Sequence, residues 1–344
     1  MALPETFCAA FHDCEKVIKM KYTSFGATDL TVSKIAHGCS GLGTLTDDAT
    51  QSAAIEAVHE GLRSGINYLD TAPWYGHGKG ETLLGKALEG VPRSVYHIAT
   101  KVGRYEASYD RMFDFSARRT QRSVQESLQR LGLRSFDVLQ VHDVEFAPSV
   151  DYIIEETLPV LESLRRNCIT RYIGITGYPL STIREIVEKS PIKIDMILSY
   201  CRGTLFDDTL QSHVSFFEDR GLGIANAAVL GMGLLTPGPL PSWHPAPEEI
   251  REACCNAQRY CQNLGINLEK LALWYSMNHF QGIHTTVVGM TTPEMVRQNL
   301  DSNTISTREQ EALNHILERY FAPLQLRHWE GRELAKVRSK LAKR

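Results

Sequence analysis

Asn67-Tyr-Leu-Asp-Thr-Ala-Pro-Trp-Tyr-Gly76 is the stretch from which the fold of this chain can be worked out. It is a short apolar run that ends in an acid, Asp70, and continues into a proline turn that carries Tyr75. Two later apolar runs also end in an ionisable residue, Lys101 and His142. Strands that each deliver one ionisable side chain at their carboxyl ends are typical of a parallel α/β barrel, which builds its active site on that face.

The same rhythm runs through most of the chain. Short apolar segments, each the length of a buried strand, alternate with amphipathic helical patterns. These segments are residues 35–39, 68–70, 97–100, 136–141, 171–176, 196–200, 223–227 and 286–288. Eight strands that alternate with helices favour a closed (β/α)8 TIM barrel, an α/β fold, over an open doubly wound sheet, which remains the alternative.

The ends of the chain lie outside this rhythm and set the predicted domain boundaries. Residues 21–33 contain two alternating stretches around a glycine-containing turn, which predicts an N-terminal β-hairpin. We expect residues 1–20 to be a weakly specified N-terminal extension and residues 21–306 to form the hairpin and the barrel. Residues 307–344 are predicted to form a C-terminal helical tail. We interpret its basic end as a solvated helix face rather than a docking surface.

Composition excludes several classes of partner. The chain has 344 residues and a formal net charge of −3, so it has no basic field for nucleic acid or an anionic membrane. No window approaches the roughly 20 apolar residues of a membrane span, and residues 1–20 hold no apolar stretch typical of a secretory signal. The cysteines form no CxxC pair and no Cys/His metal pattern. We therefore expect reduced thiols, no bound metal, a cytoplasmic location, and a monomer or weak homodimer that binds a small molecule.

The candidate chemistry combines Asp70, Tyr75, Lys101 and His142. Tyrosine has an ordinary pKa of about 10, but a lysine ammonium nearby favours the phenolate and lowers that pKa. Asp70 would hold Lys101 charged and oriented, and His142 could donate a hydrogen bond to the same substrate oxygen. Each residue also has a structural interpretation, as a helix cap, a solvated cation or a satisfied core histidine. Together they predict proton transfer at a carbinol or carbonyl oxygen, with Tyr75 as the shuttle.

Proton transfer is half of a redox step, and a nicotinamide is the natural hydride carrier in the absence of a metal motif. No GxGxxG motif follows the first strand, which argues against a Rossmann site. Glycine-containing loops at residues 229–236 and 288–300 instead follow the seventh and eighth strands, where barrels bind phosphate. The proline-rich loop at residues 234–247 carries Trp243 and His244, which either cap a substrate pocket or belong to a rigid surface loop.

The motifs around these residues resemble those of the aldo-keto reductase superfamily. The matching segments are Asp70-Thr-Ala-Pro-Trp-Tyr-Gly76, Ala99-Thr-Lys101 and Val141-His142. Longer runs resemble its plant-type L-galactose dehydrogenases. These runs are Thr100-Lys-Val-Gly-Arg-Tyr105, Phe113-Asp-Phe-Ser-Ala117, His142-Asp-Val-Glu-Phe146, Ile173-Gly-Ile-Thr-Gly-Tyr-Pro-Leu180, Ile197-Leu-Ser-Tyr-Cys201, Met232-Gly-Leu-Leu-Thr236 and Trp243-His-Pro-Ala246. The resemblance covers roughly residues 25–300.

The resemblance implies a (β/α)8 barrel that binds NAD(P) in an extended form, with the nicotinamide at the barrel mouth. It implies that Tyr75 is the general acid/base, that Lys101 and Asp70 tune it, and that His142 orients the sugar oxygen. The implied cofactor-binding residues are Thr176, Ser199, Leu230, Gly231, Gly233, Leu235, Gly289, Met290, Thr291, Gln298 and Asn299. The predicted substrate-binding residues are Trp74, Asp143 and Trp243.

Several positions depart from the pattern of the superfamily. Gly177 stands where many members have an asparagine on the carboxamide, and Ala227 where many have a tyrosine stacked on the nicotinamide. Gly289, Met290 and Met295 fall where NADPH-preferring members place lysine, serine and arginine against the 2′-phosphate. The loss of those contacts predicts NAD rather than NADP as the cofactor, and oxidation rather than reduction as the working direction.

The resulting hypothesis is the oxidation of an aldopyranose at C1 to its aldonolactone, with hydride transfer to NAD. L-galactose is the first substrate that the resemblance suggests, followed by L-fucose and D-arabinose. One alternative is an NADPH-dependent aldehyde or carbonyl reductase, against which the missing basic residues count. Another is a catalytically silent nucleotide-binding barrel with a regulatory role, against which the intact set of four residues counts.

Overall fold

A closed parallel barrel lies at the centre of the computed structural model, which describes residues 3–342. Residues 1–2 of the predicted extension and residues 343–344 of the predicted tail lie outside the described residues. The strands before the barrel are β1 (Tyr22–Ser24) and β2 (Thr31–Ser33), which pair antiparallel. The barrel strands are β3 (Ile35–Gly38), β4 (Tyr68–Asp70), β5 (His97–Val102), β6 (Phe136–Val141), β7 (Thr170–Gly177), β8 (Met196–Tyr200), β9 (Gly223–Ala227) and β10 (Thr285–Gly289).

The barrel strands pair in chain order, all parallel, and β10 closes on β3. The α-helices are α1 (Cys14–Lys19), α2 (Asp48–Arg63), α3 (Lys79–Leu88), α4 (Tyr109–Met112), α5 (Ala117–Leu131), α6 (Val150–Tyr152), α7 (Leu158–Arg166), α8 (Leu180–Lys189), α9 (Gln211–Glu218), α10 (Glu248–Asn263), α11 (Leu268–Asn278), α12 (Pro293–Asp301), α13 (Thr307–Ile316) and α14 (Arg332–Ala342). The predicted (β/α)8 barrel with an N-terminal hairpin and C-terminal helices is confirmed.

The hairpin closes the end of the barrel opposite the expected site. Its Phe25 packs on Tyr68, the first residue of β4, with ring centroids 5.5 Å apart. The same ring leaves no room for a side chain at Gly223, the first residue of β9, because a Cβ there would lie 2.7 Å from Phe25. Since the amino ends of the strands are covered, the loops at their carboxyl ends form the accessible mouth.

The residues at both chain ends pack against the barrel. Asp13 caps α1 by accepting hydrogen bonds from the backbone of its first turn, and Thr6 accepts a hydrogen bond from Asn67 Nδ2 at 2.9 Å. In the tail, the side chain of Trp329, a residue that lies between α13 and α14 in the sequence, is buried. The division into extension, barrel and tail stays a prediction. No helix within residues 3–342 is long and apolar enough to cross a membrane.

Candidate active site

The barrel brings all four predicted catalytic residues to one end. Asp70 is the last residue of β4, Lys101 lies near the end of β5, and His142 directly follows β6. All three side chains are buried, while Tyr75, in the turn after β4, is half-buried. Because parallel strands finish at the same edge, these side chains surround one small volume at the mouth of the barrel.

Lys101 is the centre of the hydrogen-bond network. Its Nζ donates to Asp70 Oδ1 at 2.5 Å, to the Thr71 carbonyl at 2.9 Å and to Tyr75 Oη at 3.3 Å. Asp70 is oriented in turn by Gln140, whose Nε2 donates to Oδ2 at 2.8 Å. Burial lowers the pKa of Lys101, but Asp70 and Tyr75 raise it by more, so the net pKa lies above its ordinary value. The ammonium is therefore charged at neutral pH.

Gln140 was missed in the sequence analysis. It lies two residues before His142, on the inward face of β6, so the strand period of two could have identified it. Its side-chain oxygen has no hydrogen-bond partner, although it is fully buried.

The net pKa of Tyr75 lies above its ordinary value. Burial raises it to about 12, and Lys101 opposes this rise without cancelling it. Lys101 lowers the pKa of the phenol, as predicted, but desolvation of the phenolate, which the prediction did not include, raises it by more. Tyr75 is a protonated phenol at neutral pH, and its conjugate base is a strong one.

His142 is neutral. Burial lowers its pKa to about 3, with further lowering by the cations Lys101 and Arg104 against the raising effect of Asp143. Its ring lies edge-on to Tyr75 with centroids 6.0 Å apart, and its Nδ1 has no hydrogen-bond partner. A neutral imidazole keeps one N–H, so His142 can donate to a substrate oxygen without carrying charge.

Asp143 and Trp74, two predicted substrate-binding residues, meet through Arg104, which the sequence analysis did not identify. Arg104 Nη1 donates to Asp143 Oδ2 at 2.6 Å, and its guanidinium lies 3.9 Å from the Trp74 ring centroid. Asp143 adopts a left-handed backbone conformation with φ of 50°. The three residues follow β4, β5 and β6, so this contact lies at the same end of the barrel as the predicted catalytic residues.

The structure places two of the predicted cofactor-binding residues, Thr176 and Ser199, differently. Thr176 is buried at the end of β7, and its Oγ1 accepts a hydrogen bond from the Asp143 backbone at 3.1 Å. Ser199 does not reach the barrel interior, since its neighbours Leu198 and Tyr200 pack inward and strand residues alternate between faces. Leu198, one residue before Ser199, packs on the inward face instead.

The loop after β9 forms a tight glycine turn. Residues 231–233 make a single 3-10 turn between Leu230 and Leu235, in which Met232 has a left-handed φ of 54°. His244 donates from Nε2 to the Gly231 carbonyl at 2.9 Å and fixes this turn. Trp243 is 55% exposed and contacts His244 by its ring, so the structure does not bring it against the catalytic residues.

The loop after β10 offers an open backbone. A Cβ at Gly289 would meet nothing closer than the Gly38 carbonyl at 4.0 Å. The side chain of Met290 is fully buried, whereas that of Met295, on α12, is 42% exposed. Thr291, Gln298 and Asn299 border this loop and helix, and Gln298 Nε2 donates to Glu294 at 3.0 Å. The open glycine backbone and the N-terminus of α12 fit an extended dinucleotide that carries a pyrophosphate.

Three comparisons with known proteins agree with this geometry. Residues 34–318 match the sequence profile of the Aldo/keto reductase family. The chain is 40% identical over 285 residues to L-galactose dehydrogenase of Arabidopsis thaliana, covering 82% of this chain and 88% of that protein. It is 30% identical over 316 residues to D-arabinose 1-dehydrogenase of Saccharomyces cerevisiae, covering 85% and 91%. A solved aldo-keto reductase from Bacillus halodurans superimposes with a TM-score of 0.68 at 26% identity, covering 86% and 96%.

Proposed function

The chain belongs to the aldo/keto reductase family, and from that premise we propose that it is an NAD-dependent dehydrogenase that oxidises an aldopyranose at C1 to the aldonolactone. The family makes it an oxidoreductase that uses a nicotinamide cofactor and acts on a small sugar or carbonyl compound. The two similar relatives are both named as aldose dehydrogenases, which supports oxidation of a sugar.

The observation that carries the proposal is the contact of one buried ammonium with both Asp70 and Tyr75. Bound nicotinamide would supply the hydride acceptor. Once Tyr75 has released its own proton to solvent, its phenolate takes the proton of the anomeric hydroxyl, and Lys101, held at 3.3 Å from Oη, stabilises that phenolate. Asp70 keeps the ammonium in place at 2.5 Å. Neutral His142 donates its N–H to the same substrate oxygen and orients it toward Tyr75.

The loop after β10 supports NAD over NADP. Gly289, Met290 and Met295 bring no charge to the region where a 2′-phosphate would be bound. Glu294 adds a negative charge to the first turn of α12, and Arg297 is paired with it at 3.2 Å. A phosphate with about two negative charges would find no unpaired guanidinium or ammonium among residues 289–299.

Initial rates with NAD and NADP across L-galactose, L-fucose, D-arabinose and simple aldehydes test the proposal. We expect reduction of NAD with at least one sugar, and a loss of kcat of about 10²-fold to 10⁴-fold in Tyr75→Phe. Tyr260→Phe, on the outer helix α10, is the matched control and should keep full activity. Turnover of aldehydes with NADPH alone would overturn the proposed direction and cofactor. Full activity in Tyr75→Phe would overturn the proposed role of the phenol.

A further inference from the structure

A fully buried histidine connects the loop after β10 to the first strand of the barrel. His37 is the third residue of β3, and its Nε2 lies 2.9 Å from the backbone oxygen of Met290. A carbonyl oxygen only accepts hydrogen bonds, so Nε2 of His37 carries the proton and donates. This hydrogen bond joins two residues that are 253 positions apart in the chain.

The bond lies where the pairing between β3 and β10 ends. The last register pair of these two strands is Gly38 with Gly289, and Met290 is the next residue. The ladder therefore no longer holds the chain at Met290. The His37 side chain binds the first carbonyl beyond the ladder, and a carbonyl in the interior of a protein needs such a partner.

Helix α2 leaves room for the imidazole. Gly61 lies in the interior of this helix, where glycine is less favourable than alanine. A Cβ on Gly61 would lie only 3.4 Å from His37 Nδ1, so the glycine lets the helix approach the ring. Nδ1 has no hydrogen-bond partner within residues 3–342. Burial lowers the pKa of His37 to about 4, so the enclosed ring is neutral at neutral pH.

The loop after β10 is thus held at one residue and open at the next. The Met290 side chain is buried in an apolar cluster with Val288 and Val296, and its carbonyl is bound by His37. Gly289 is exposed, and a Cβ there would meet nothing closer than 4.0 Å. Helix α12 begins at Pro293, three residues after Met290. The hydrogen bond from His37 therefore fixes the segment that presents its backbone to a dinucleotide.

We propose that His37 is a positioning residue for the cofactor, because it holds residues 289–292 in the conformation that binds the dinucleotide. The inference rests on the proposed function, which places NAD against this loop. His37 is 0% exposed and acts only through the Met290 backbone. A loop that loses this bond populates other conformations, and its affinity for the cofactor falls in proportion to the fraction that remains competent.

Titration of the protein with NADH, followed by quenching of its tryptophan fluorescence, tests this role. His37→Leu removes the donor and keeps an apolar side chain, whereas His37→Gln keeps an N–H donor. We expect His37→Leu to raise the Kd for NADH about tenfold, and His37→Gln to stay within about threefold of the wild type. Because the catalytic residues are untouched, kcat at saturating NAD should change by less than about twofold.

His59→Leu is the matched control. His59 lies on α2, and its Nε2 donates to the Ala87 carbonyl at 2.7 Å, so this variant removes the same kind of bond between α2 and α3. Both leucine variants should unfold at a lower guanidinium concentration, but His37→Leu alone should weaken NADH binding. A wild-type Kd in His37→Leu overturns the inference, and so does an equal loss of affinity in His59→Leu.

Hydrogen exchange of the cofactor-free protein separates this inference from the proposed function. Peptides that cover residues 288–300 should exchange faster in His37→Leu than in the wild type or in His59→Leu. If the wild type oxidises no sugar, the proposed function fails, but the differences in exchange and in NADH binding remain. Unchanged exchange of these peptides in His37→Leu contradicts the role of His37, even in a protein that oxidises the sugar.

Discussion

Removal of both charges of the Lys101–Asp70 pair should destabilise the protein less than removal of either one. The pair is fully buried, and its two atoms lie 2.5 Å apart. Lys101→Met leaves a buried carboxylate with Gln140 as its remaining side-chain partner, and Asp70→Asn leaves a buried ammonium. An isolated buried charge of this kind costs about 3–5 kcal/mol, so the two single variants together predict a loss of roughly 6–10 kcal/mol.

The double variant, Asp70→Asn with Lys101→Met, should lose far less. It leaves no unpaired charge, because the asparagine introduced at position 70 still accepts the hydrogen bond from Gln140. What disappears are the bonds from Lys101 Nζ to the Thr71 carbonyl and to Tyr75 Oη. We expect a loss of about 1–2 kcal/mol from these bonds, well below the sum of the single variants.

Guanidinium unfolding followed by far-UV circular dichroism measures these differences, with coincidence of a second probe as the check for two-state behaviour. The exposed pair Arg184–Glu188, 3.1 Å apart, is the control and should show a coupling below about 1 kcal/mol. A double variant that loses the full sum would refute the reasoning. All three variants of the buried pair should lose dehydrogenase activity, because each one removes or displaces the ammonium that contacts Tyr75 Oη.

Three further outcomes follow from the same contacts. Burial raises the pKa of Asp137, but hydrogen bonds and the charge of Arg93 outweigh this effect and lower the pKa to about 2, which gives about 2 kcal/mol of stability. That stability is present above about pH 4 and is lost as the pH falls toward 2, so urea unfolding of Asp137→Asn should show a weaker pH dependence in this window. Because the pKa of Tyr75 is about 12, kcat for oxidation should rise from pH 7 to pH 10, and a flat profile would exclude Tyr75 as the titrating base. Gly289→Lys with Met295→Arg should raise kcat/KM for NADP relative to NAD at least about tenfold, since position 289 has open space and residue 295 is exposed; an unchanged ratio would place the 2′-phosphate elsewhere.

Much of the fold could be predicted from periodicity. Strand-length apolar runs that alternate with amphipathic helices led directly to the closed barrel, because each run must be buried on both faces. The same rule placed Asp70, Lys101 and His142 at one end, since parallel strands finish at a common edge. Local sequence patterns predict the strands, the helices and the residues at strand ends, because these features depend on residues that are neighbours along the chain.

Other features of the site depend on which distant segments meet. A shift of one residue along β8 would turn Ser199 from the outer face of the barrel to the inner one. A short apolar run does not fix that register. The pKa of Tyr75 is the difference between burial and the charge of Lys101, and burial is a property of the whole barrel mouth. Arg104 could not be assigned to the candidate active site, because its partners Trp74 and Asp143 come from two other loops.

The amino-acid sequence by itself determined the barrel, the four residues at its mouth and the absence of charged side chains at Gly289, Met290 and Met295. The tertiary structure alone decided what covers that mouth. A basic amphipathic tail looks like a solvated helix along the chain, and the basic side chains of α14 are indeed exposed. Trp329 and Glu330 attach the tail to Tyr178 and Arg202, which lie in loops more than a hundred residues earlier in the chain.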